Sequence, residues 1–373
     1  MFGPAVARPT VSVRPERRSD AESPQSSPRV VQYVYVHDEG EAFRYPSSRD
    51  RSGDPARLAV RYLECALVQA ASLRMGDADC DLALVTNVTD RRRLGRAGAR
   101  LVEEIEALGV ELVHAPYEHA PRWPAPLPAY NYVFDAILAA SAGEDPGRTL
   151  WLADVDCVWV SCERAFAATP SAPAVGYVEI PYPPDWGFGP NRQSIGRLAQ
   201  RLGAPPGPPP PWVGGELLTG RSADLVELVR VCESLDGELA AREVELEDEE
   251  HLLTLAFALG RIEMENIGGI ADRIWTGPRH GALPPEDPRT LAIWHLPSEK
   301  GLAFRRAARE IAGGRPDRLA RDLGDPARAM RRFNIAGSSR ARRARDDLWL
   351  LKQRGLDAAR AGARGRPGRR SAA

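Results

Sequence analysis

The sequence lacks a hydrophobic run that could cross a membrane. No stretch of about 18 apolar residues occurs among the 373 residues of the chain. The N-terminal segment also lacks the apolar core of a signal peptide. We therefore expect a cytoplasmic protein without a transmembrane segment.

Paired cysteine motifs are also missing. The five cysteines are odd in number and show no Cys-x-x-Cys spacing. They are Cys65, Cys80, Cys157, Cys162 and Cys232. This pattern supports neither a zinc site nor a disulfide framework, so we expect reduced thiols, mostly in the core.

Lysine is scarce, since Lys300 and Lys352 are the only two among 50 basic residues. Where arginine is the usual cation, a lysine suggests a position that requires a compact point charge, such as a contact with a diphosphate. For Lys300, chance is the alternative explanation.

Charge is unevenly distributed along the chain. The net charge is −1, but residues 301–373 contain 20 basic against 7 acidic residues. We expect a disordered leader at 1–28, an α/β domain at 29–301, and a basic, helical and partly disordered tail at 302–373. The tail could contact an anionic membrane or a protein partner. We do not expect a nucleic-acid partner, because aromatic residues are too few for base stacking.

Strand and helix patterns alternate in the first half of the domain. Apolar segments at 30–36, 82–85 and 110–113 predict strands, and a helical pattern follows each of them. Thr89 is a plausible N-cap for the second helix. Three β-α steps thus precede a fourth strand at 150–153, which predicts a doubly wound, mostly parallel sheet that binds ligands at the carboxyl ends of its strands.

Asp154 and Asp156 follow this fourth strand directly, at its expected surface end. Ionised carboxylates are costly beside an apolar strand unless they have a partner, and a divalent cation is the simplest one. Carboxylate oxygens suit Mg²⁺ or Mn²⁺. The alternative is that the strand has ended and both side chains are solvated in a loop.

Two later features could join this acidic pair. His295 closes an apolar strand at 291–296, and a neutral imidazole there could complete a mixed oxygen and nitrogen site for Mn²⁺. A hydrogen-bonded structural histidine is the alternative. The acidic run at 243–250 opens a predicted helix and could be a solvated charge cluster.

Together these motifs resemble GT-A-fold glycosyltransferases over residues 30–301, with the motif order closest to family 8. The resemblance implies an enzyme that transfers a sugar, such as a hexose, from a nucleotide-diphosphate donor, with a UDP-sugar as the first guess. By this resemblance Asp154, Asp156 and His295 would hold Mn²⁺ or Mg²⁺, and Lys300 would contact the diphosphate.

The resemblance also implies a donor pocket and a set of catalytic carboxylates. His37 would frame the nucleotide base, and Gly214 and Gly215 would line the donor sugar. Asp248-Glu249-Glu250 stands where family 8 has Asp-Gln-Asp, so retention or inversion of configuration stays open. If configuration inverts, the carboxylates that could accept the proton of the acceptor hydroxyl are Glu250, Asp248 and Glu216.

Three other hypotheses about the function are compatible with parts of the sequence. Asp154-Val155-Asp156 also fits the nucleophile motif of haloacid-dehalogenase-type phosphatases, although that motif normally follows the first strand of its domain. A sugar nucleotidyltransferase should have a glycine-rich loop after the first strand, where residues 37–42 contain a single glycine. A non-catalytic nucleotide-sugar-binding relative would differ from the enzyme in lacking donor turnover.

Overall fold

The computed structural model describes residues 27–38, 54–76, 78–119, 130–171, 173–185, 189–276 and 287–335, together with Ala344 and Leu348. Most of the predicted leader and most of the basic tail after residue 335 lie outside the described residues. The predicted domain boundaries therefore stay predictions.

Ten strands are present in the described ranges. They are β1 (Arg29–Val34), β2 (Asp81–Thr86), β3 (Val110–His114), β4 (Thr149–Ala153), β5 (Cys157–Trp159), β6 (Val175–Ile180), β7 (Trp212–Arg221), β8 (Met264–Asn266), β9 (Ala271–Arg273) and β10 (Ile293–His295). Seven of them form one sheet in the order β3-β2-β1-β4-β7-β6-β8.

The predicted mostly parallel sheet is confirmed, with one reversed strand. β1 to β4 run parallel, and β6 runs parallel to β8, whereas β7 is antiparallel to both β4 and β6. β7 was not predicted as a strand, because two consecutive glycines interrupt its apolar pattern. The strand predicted at 291–296 is present as β10, but its pairing with β5 and β9 in a second sheet was not predicted, because that pairing joins segments far apart in the sequence.

Helices cover both faces of the large sheet. They are α1 (Pro55–Met75), α2 (Gly95–Ala107), α3 (Tyr132–Ser141), α4 (Cys162–Phe166), α5 (Arg192–Arg201), α6 (Ser222–Ala240), α7 (Glu249–Ala258), α8 (Arg305–Ala312), α9 (Pro316–Leu323) and α10 (Pro326–Arg332). None of the described helices is both long and apolar enough to span a membrane.

The core has two parts because side chains alternate across each strand. Val30 of β1 and Trp151 of β4 face the side covered by α1 and α2, where the second sheet and α8 also pack. Val31 and Leu152 face the opposite side, covered by α3, α6 and α7. Burial on both faces explains why these strands read as continuous apolar segments.

The predicted cap of the second helix was wrong, because α2 begins after Leu94 and has no side-chain cap. Asp90, and not Thr89, accepts a hydrogen bond from the backbone N–H of Arg92, and a short 3₁₀ helix at Arg91–Leu94 precedes α2. Aspartate competes well with threonine as a cap, because its carboxylate accepts backbone N–H groups readily.

Candidate active site

Asp154 and Asp156 lie in the turn that leads from β4 of the large sheet to β5 of the small sheet. The N–H of Asp154 donates to the carbonyl of Glu216 on β7 at 2.9 Å, and its carbonyl accepts the N–H of Cys157 at 3.0 Å. These bonds fix both ends of the turn, so the acidic pair has a defined geometry.

The two carboxylates differ in exposure. The Asp154 side chain is 32% exposed, whereas that of Asp156 is 1% exposed. The expectation that both lie at the surface is therefore wrong for Asp156. The hydroxyl of Tyr33 on β1 donates to Oδ1 of Asp154 at 2.6 Å, a contact that the sequence analysis missed.

Strand pairing brings His295 to this turn. β10 runs antiparallel to β5 with His295 opposite Cys157, and the N–H of Leu296 donates to the carbonyl of Asp156 at 3.0 Å. Nε2 of His295 lies 3.3 Å from Oδ2 of Asp156 and 3.5 Å from Oδ2 of Asp154. The predicted convergence of these three residues is present, while their role as metal ligands remains a prediction.

The three residues suit a divalent cation. One ligand atom from each can be chosen so that all lie within 4.8 Å of one another. Oδ1 of Asp156 and both ring nitrogens of His295 are buried without a hydrogen-bond partner among the described residues. Two carboxylates and an imidazole are ligands that Mn²⁺ or Mg²⁺ accepts, with water and substrate filling the remaining positions.

Charges in the cluster shift its pKa values strongly. Burial opposes ionisation of Asp156, but Lys300 and His295 outweigh it and hold the pKa of that carboxyl well below its usual range. Burial also opposes the charge on His295, yet Asp156 and Glu216 raise its pKa to about 9. A cation that binds here therefore has to displace a proton from the imidazole.

Lys300 is the second cation of the cluster. It begins a π-helical turn at Lys300–Phe304 and is buried, with its Nζ donating to Oδ2 of Asp156. Its Nζ also lies 5.7 Å from the ring centre of Tyr62 on α1. The side chain predicted to contact a diphosphate is thus held directly at the candidate metal site.

Glu216 and Glu250 belong to a second, adjoining cluster. Oε1 of Glu216 lies 3.6 Å from Nδ1 of His295, which connects the two clusters. Glu250 accepts the indole N–H of Trp212 at 2.6 Å. Arg273, which the sequence analysis missed, donates to both carboxylates.

Gly214 and Gly215 on β7 lie against the side chains of Glu216 and Glu249. A Cβ at Gly215 would approach Oε1 of Glu249 to 2.7 Å, and one at Gly214 would meet the Glu216 carboxylate and Cδ1 of Ile180, the latter at 2.9 Å. Hydrogen at these positions lets the two acidic side chains pack against the strand. The donor-lining role expected for the glycines remains a prediction.

The remaining predicted residues have other visible contacts. Asp248 caps α7, where its Oδ1 accepts the N–H of His251 at 2.9 Å. His37 is buried just beyond β1, with its ring 4.9 Å from that of Tyr35. The roles expected for them, His37 at the nucleotide base and Asp248 as a proton acceptor, remain predictions.

Comparison with known proteins gives structural likeness but no match in sequence. No family model and no curated protein matches the chain. The crystal structure of the galactosyltransferase LgtC with donor and acceptor sugar analogues has 10% identity and a TM-score of 0.45, covering 77% of this chain and 95% of that chain. Mouse xyloside xylosyltransferase 1, in its apo form, has 11% identity and a TM-score of 0.44, covering 72% and 97% respectively. Both are glycosyltransferases, but at these values the likeness assigns no function to this chain.

Proposed function

We propose that the protein is a metal-dependent glycosyltransferase that moves a sugar from a nucleotide-diphosphate donor to an acceptor. The observation that carries this proposal is the convergence of Asp154, Asp156 and His295, with Lys300 bonded to the same group. The cluster lies at the carboxyl edge of β4, where open α/β sheets bind ligands.

The residue types fit the chemistry of the proposed reaction. Breaking the bond between sugar and diphosphate leaves negative charge on phosphate oxygens, and a divalent cation stabilises that charge. Asp154, Asp156 and His295 would hold the cation. Lys300 supplies a further positive charge. Its ammonium group is a compact point charge, which suits a contact with a diphosphate.

Among the three candidate carboxylates, Glu250 fits best as the proton acceptor if configuration inverts. Burial raises the pKa of Glu250 despite the opposing effect of Arg273, whereas Arg273 and His295 outweigh burial and lower the pKa of Glu216. A base with a raised pKa removes a proton more effectively near neutral pH. Asp248 is already used to cap α7.

The finer features of the proposal concern the donor and the surroundings of the enzyme. A UDP-sugar is the first donor to test, with His37 at the base and Gly214 and Gly215 at the sugar. The cytoplasm remains the proposed compartment. Exposed arginines on α8, such as Arg306 and Arg309, support contact of the basic segment with an anionic membrane or a protein partner.

The phosphatase alternative gains no support from the position of the acidic pair. Its motif should follow the first strand of a domain, but Asp154 follows β4. The non-catalytic alternative, a nucleotide-sugar-binding relative, would bind the donor without turning it over.

A panel of UDP- and GDP-sugars tests the proposal. We expect at least one donor to raise the melting temperature when Mn²⁺ is present, and to be hydrolysed slowly with release of nucleoside diphosphate. EDTA should abolish both effects. Stabilisation without release of nucleoside diphosphate, with or without added acceptor sugars, would favour the non-catalytic relative, and no response to any donor would contradict the proposal.

A further inference from the structure

Arg273 occupies a position that no motif explains. It is the last residue of β9 and lies opposite His295 in the parallel pairing of β9 with β10. Its side chain is only 13% exposed. The backbone pairing therefore fixes a permanent cation next to the candidate metal centre, because arginine does not lose its proton in proteins.

The guanidinium group joins three parts of the fold. Its Nε and Nη2 donate to the two oxygens of Glu216 at 3.2 and 2.7 Å, which is a bidentate pair. Nη2 also donates to Glu250 at the start of α7, and Nη1 donates to the hydroxyl of Tyr182 at 3.2 Å. One side chain thus connects β9 with β7, α7 and the segment after β6.

Arg273 is a cation that both carboxylates share. Glu216 and Glu250 are 2% and 13% exposed, and two nearly buried carboxylates side by side repel each other. A bidentate arginine offsets that repulsion and also fixes the direction of each carboxylate.

The contacts of Glu216 extend this effect to the candidate metal site. Oε1 of Glu216 faces Nδ1 of His295, while Nε2 of the same ring faces Asp154 and Asp156. Carboxylates placed behind a histidine in this way orient the ring toward a metal.

We infer that Arg273 is a positioning residue of the active site. It holds Glu250 for the reaction and holds Glu216 behind His295, so it acts through these two carboxylates. This inference rests on the proposed function, because the two carboxylates have a catalytic use only if the site transfers a sugar.

The variant Arg273→Gln tests the inference by separating kcat from KM. Release of nucleoside diphosphate from the panel of UDP- and GDP-sugars is measured with saturating Mn²⁺. We expect kcat to fall about 100-fold, because misplaced reacting groups cost about that much. The KM for the donor should change by no more than about threefold, since Asp154, Asp156 and Lys300 are intact.

A matched control is available in α10. Arg332 is 5% exposed and also bridges two carboxylates from different helices, Glu310 and Asp322. Arg332→Gln should lower the melting temperature while leaving kcat unchanged. If Arg273 has only a structural role, both variants will lose stability alike, and the folded fraction of Arg273→Gln will have wild-type kcat.

Arg273→Lys keeps the inference testable if the glutamine variant does not fold. Lysine retains the charge but cannot bond both carboxylates in a fixed fork. It should fold and show a kcat between those of the wild type and Arg273→Gln, and wild-type kcat in this variant would overturn the inference. No release by the wild-type protein with any donor would instead overturn the proposed function, and the inference with it.

Discussion

Asp156 and Lys300 form a buried ion pair between positions 144 residues apart in the chain. The lysine occupies Oδ2 of the carboxylate, while Oδ1 is buried without a hydrogen-bond partner in the described ranges. The pair thus combines a neutralising contact with an oxygen that a metal ion can use. Lys300 and a bound metal ion would therefore share the carboxylate of Asp156.

Replacing Lys300 should increase the stabilisation by Mn²⁺ and weaken the binding of the donor. In Lys300→Gln the buried Asp156 loses its cation, so the metal-free protein should be less stable, and Mn²⁺ should raise its melting temperature more than that of the wild type. Donor binding should weaken by about 1–3 kcal/mol through the lost charged contact. Thermal shift and calorimetry measure the two effects.

Arg305→Gln is the matched control for this prediction. Arg305 is a partly exposed cation whose Nε lies 3.7 Å from Glu64. Its removal should alter neither Mn²⁺ nor donor affinity. Equal donor affinity in Lys300→Gln and the wild type would remove Lys300 from the proposed site.

Tyr33→Phe should weaken metal binding. Burial and the nearby Asp154 carboxylate raise the pKa of Tyr33 well above its ordinary value, so its hydroxyl stays protonated and donates to Asp154. Loss of a hydrogen bond that orients a metal ligand typically costs about 10-fold or more in metal affinity. Titration with Mn²⁺ measures this loss.

Tyr35→Phe serves as its control. The ring of Tyr35 packs on Tyr117 and Tyr132 at centroid distances of 4.8 and 5.4 Å. This variant should keep wild-type Mn²⁺ affinity. The same affinity in Tyr33→Phe would mean that Asp154 needs no help from the hydroxyl or does not bind the ion.

Gly215→Ala should destabilise the fold by about 1–3 kcal/mol, since overpacking a tight site has that cost. The added Cβ would lie 2.7 Å from Oε1 and 3.1 Å from Cγ of Glu249. Gly237→Ala in α6 is the control, because, apart from the adjacent residues and the backbone of its own helix, no heavy atom lies within 4 Å of the added Cβ. It should stabilise by about 1 kcal/mol as a helical glycine replacement. Urea denaturation gives the free energy of unfolding of both variants. Equal changes in the two would show that Glu249 does not exclude a side chain at position 215.

His119 should make stability depend on pH. Hydrogen bonding to Asp135 is the main cause that raises its pKa from 6.5 to about 9, and Glu233 adds to it. Because the folded state holds the proton more tightly, the contribution of His119 is complete below pH 6.5 and is lost as pH rises through about 9.

Unfolding free energies of the wild type and His119→Gln from pH 6 to 10 measure this contribution. The difference between the two should be largest at the acidic end and shrink toward the alkaline end. A difference that stays constant across the range would contradict the assignment.

Local patterns predicted the part of the site that lies at the ends of apolar segments. Asp154 and Asp156 follow one such segment and His295 closes another, so these segments located all three. Arg273 and Tyr33 could not be found in this way. Arg273 ends the strand β9, which reads Ala-Asp-Arg and is not an apolar segment, and its partners come from β7 and α7.

The fold was predictable to a similar extent. The alternation of strands and helices up to β4 indicated a doubly wound sheet, because each helix repeats its apolar positions over several turns. The reversed β7 depends on pairing with β4 and β6, which lie far away in sequence. Burial of Asp156 likewise depends on Lys300, which no local pattern connects with it.

Binding of Mn²⁺ to Asp154→Asn tests the central claim most directly. Asp154 is preferable to Asp156 for this purpose, because removing Asp156 would leave Lys300 buried without its partner. Electron paramagnetic resonance of free Mn²⁺ gives the affinity without any assumption about the donor. The wild-type protein should bind one ion, and Asp154→Asn should bind it at least about 10-fold more weakly while retaining the wild-type melting temperature without metal. Equal Mn²⁺ affinity in the two proteins, or no binding by the wild type, would contradict a metal site formed by Asp154, Asp156 and His295.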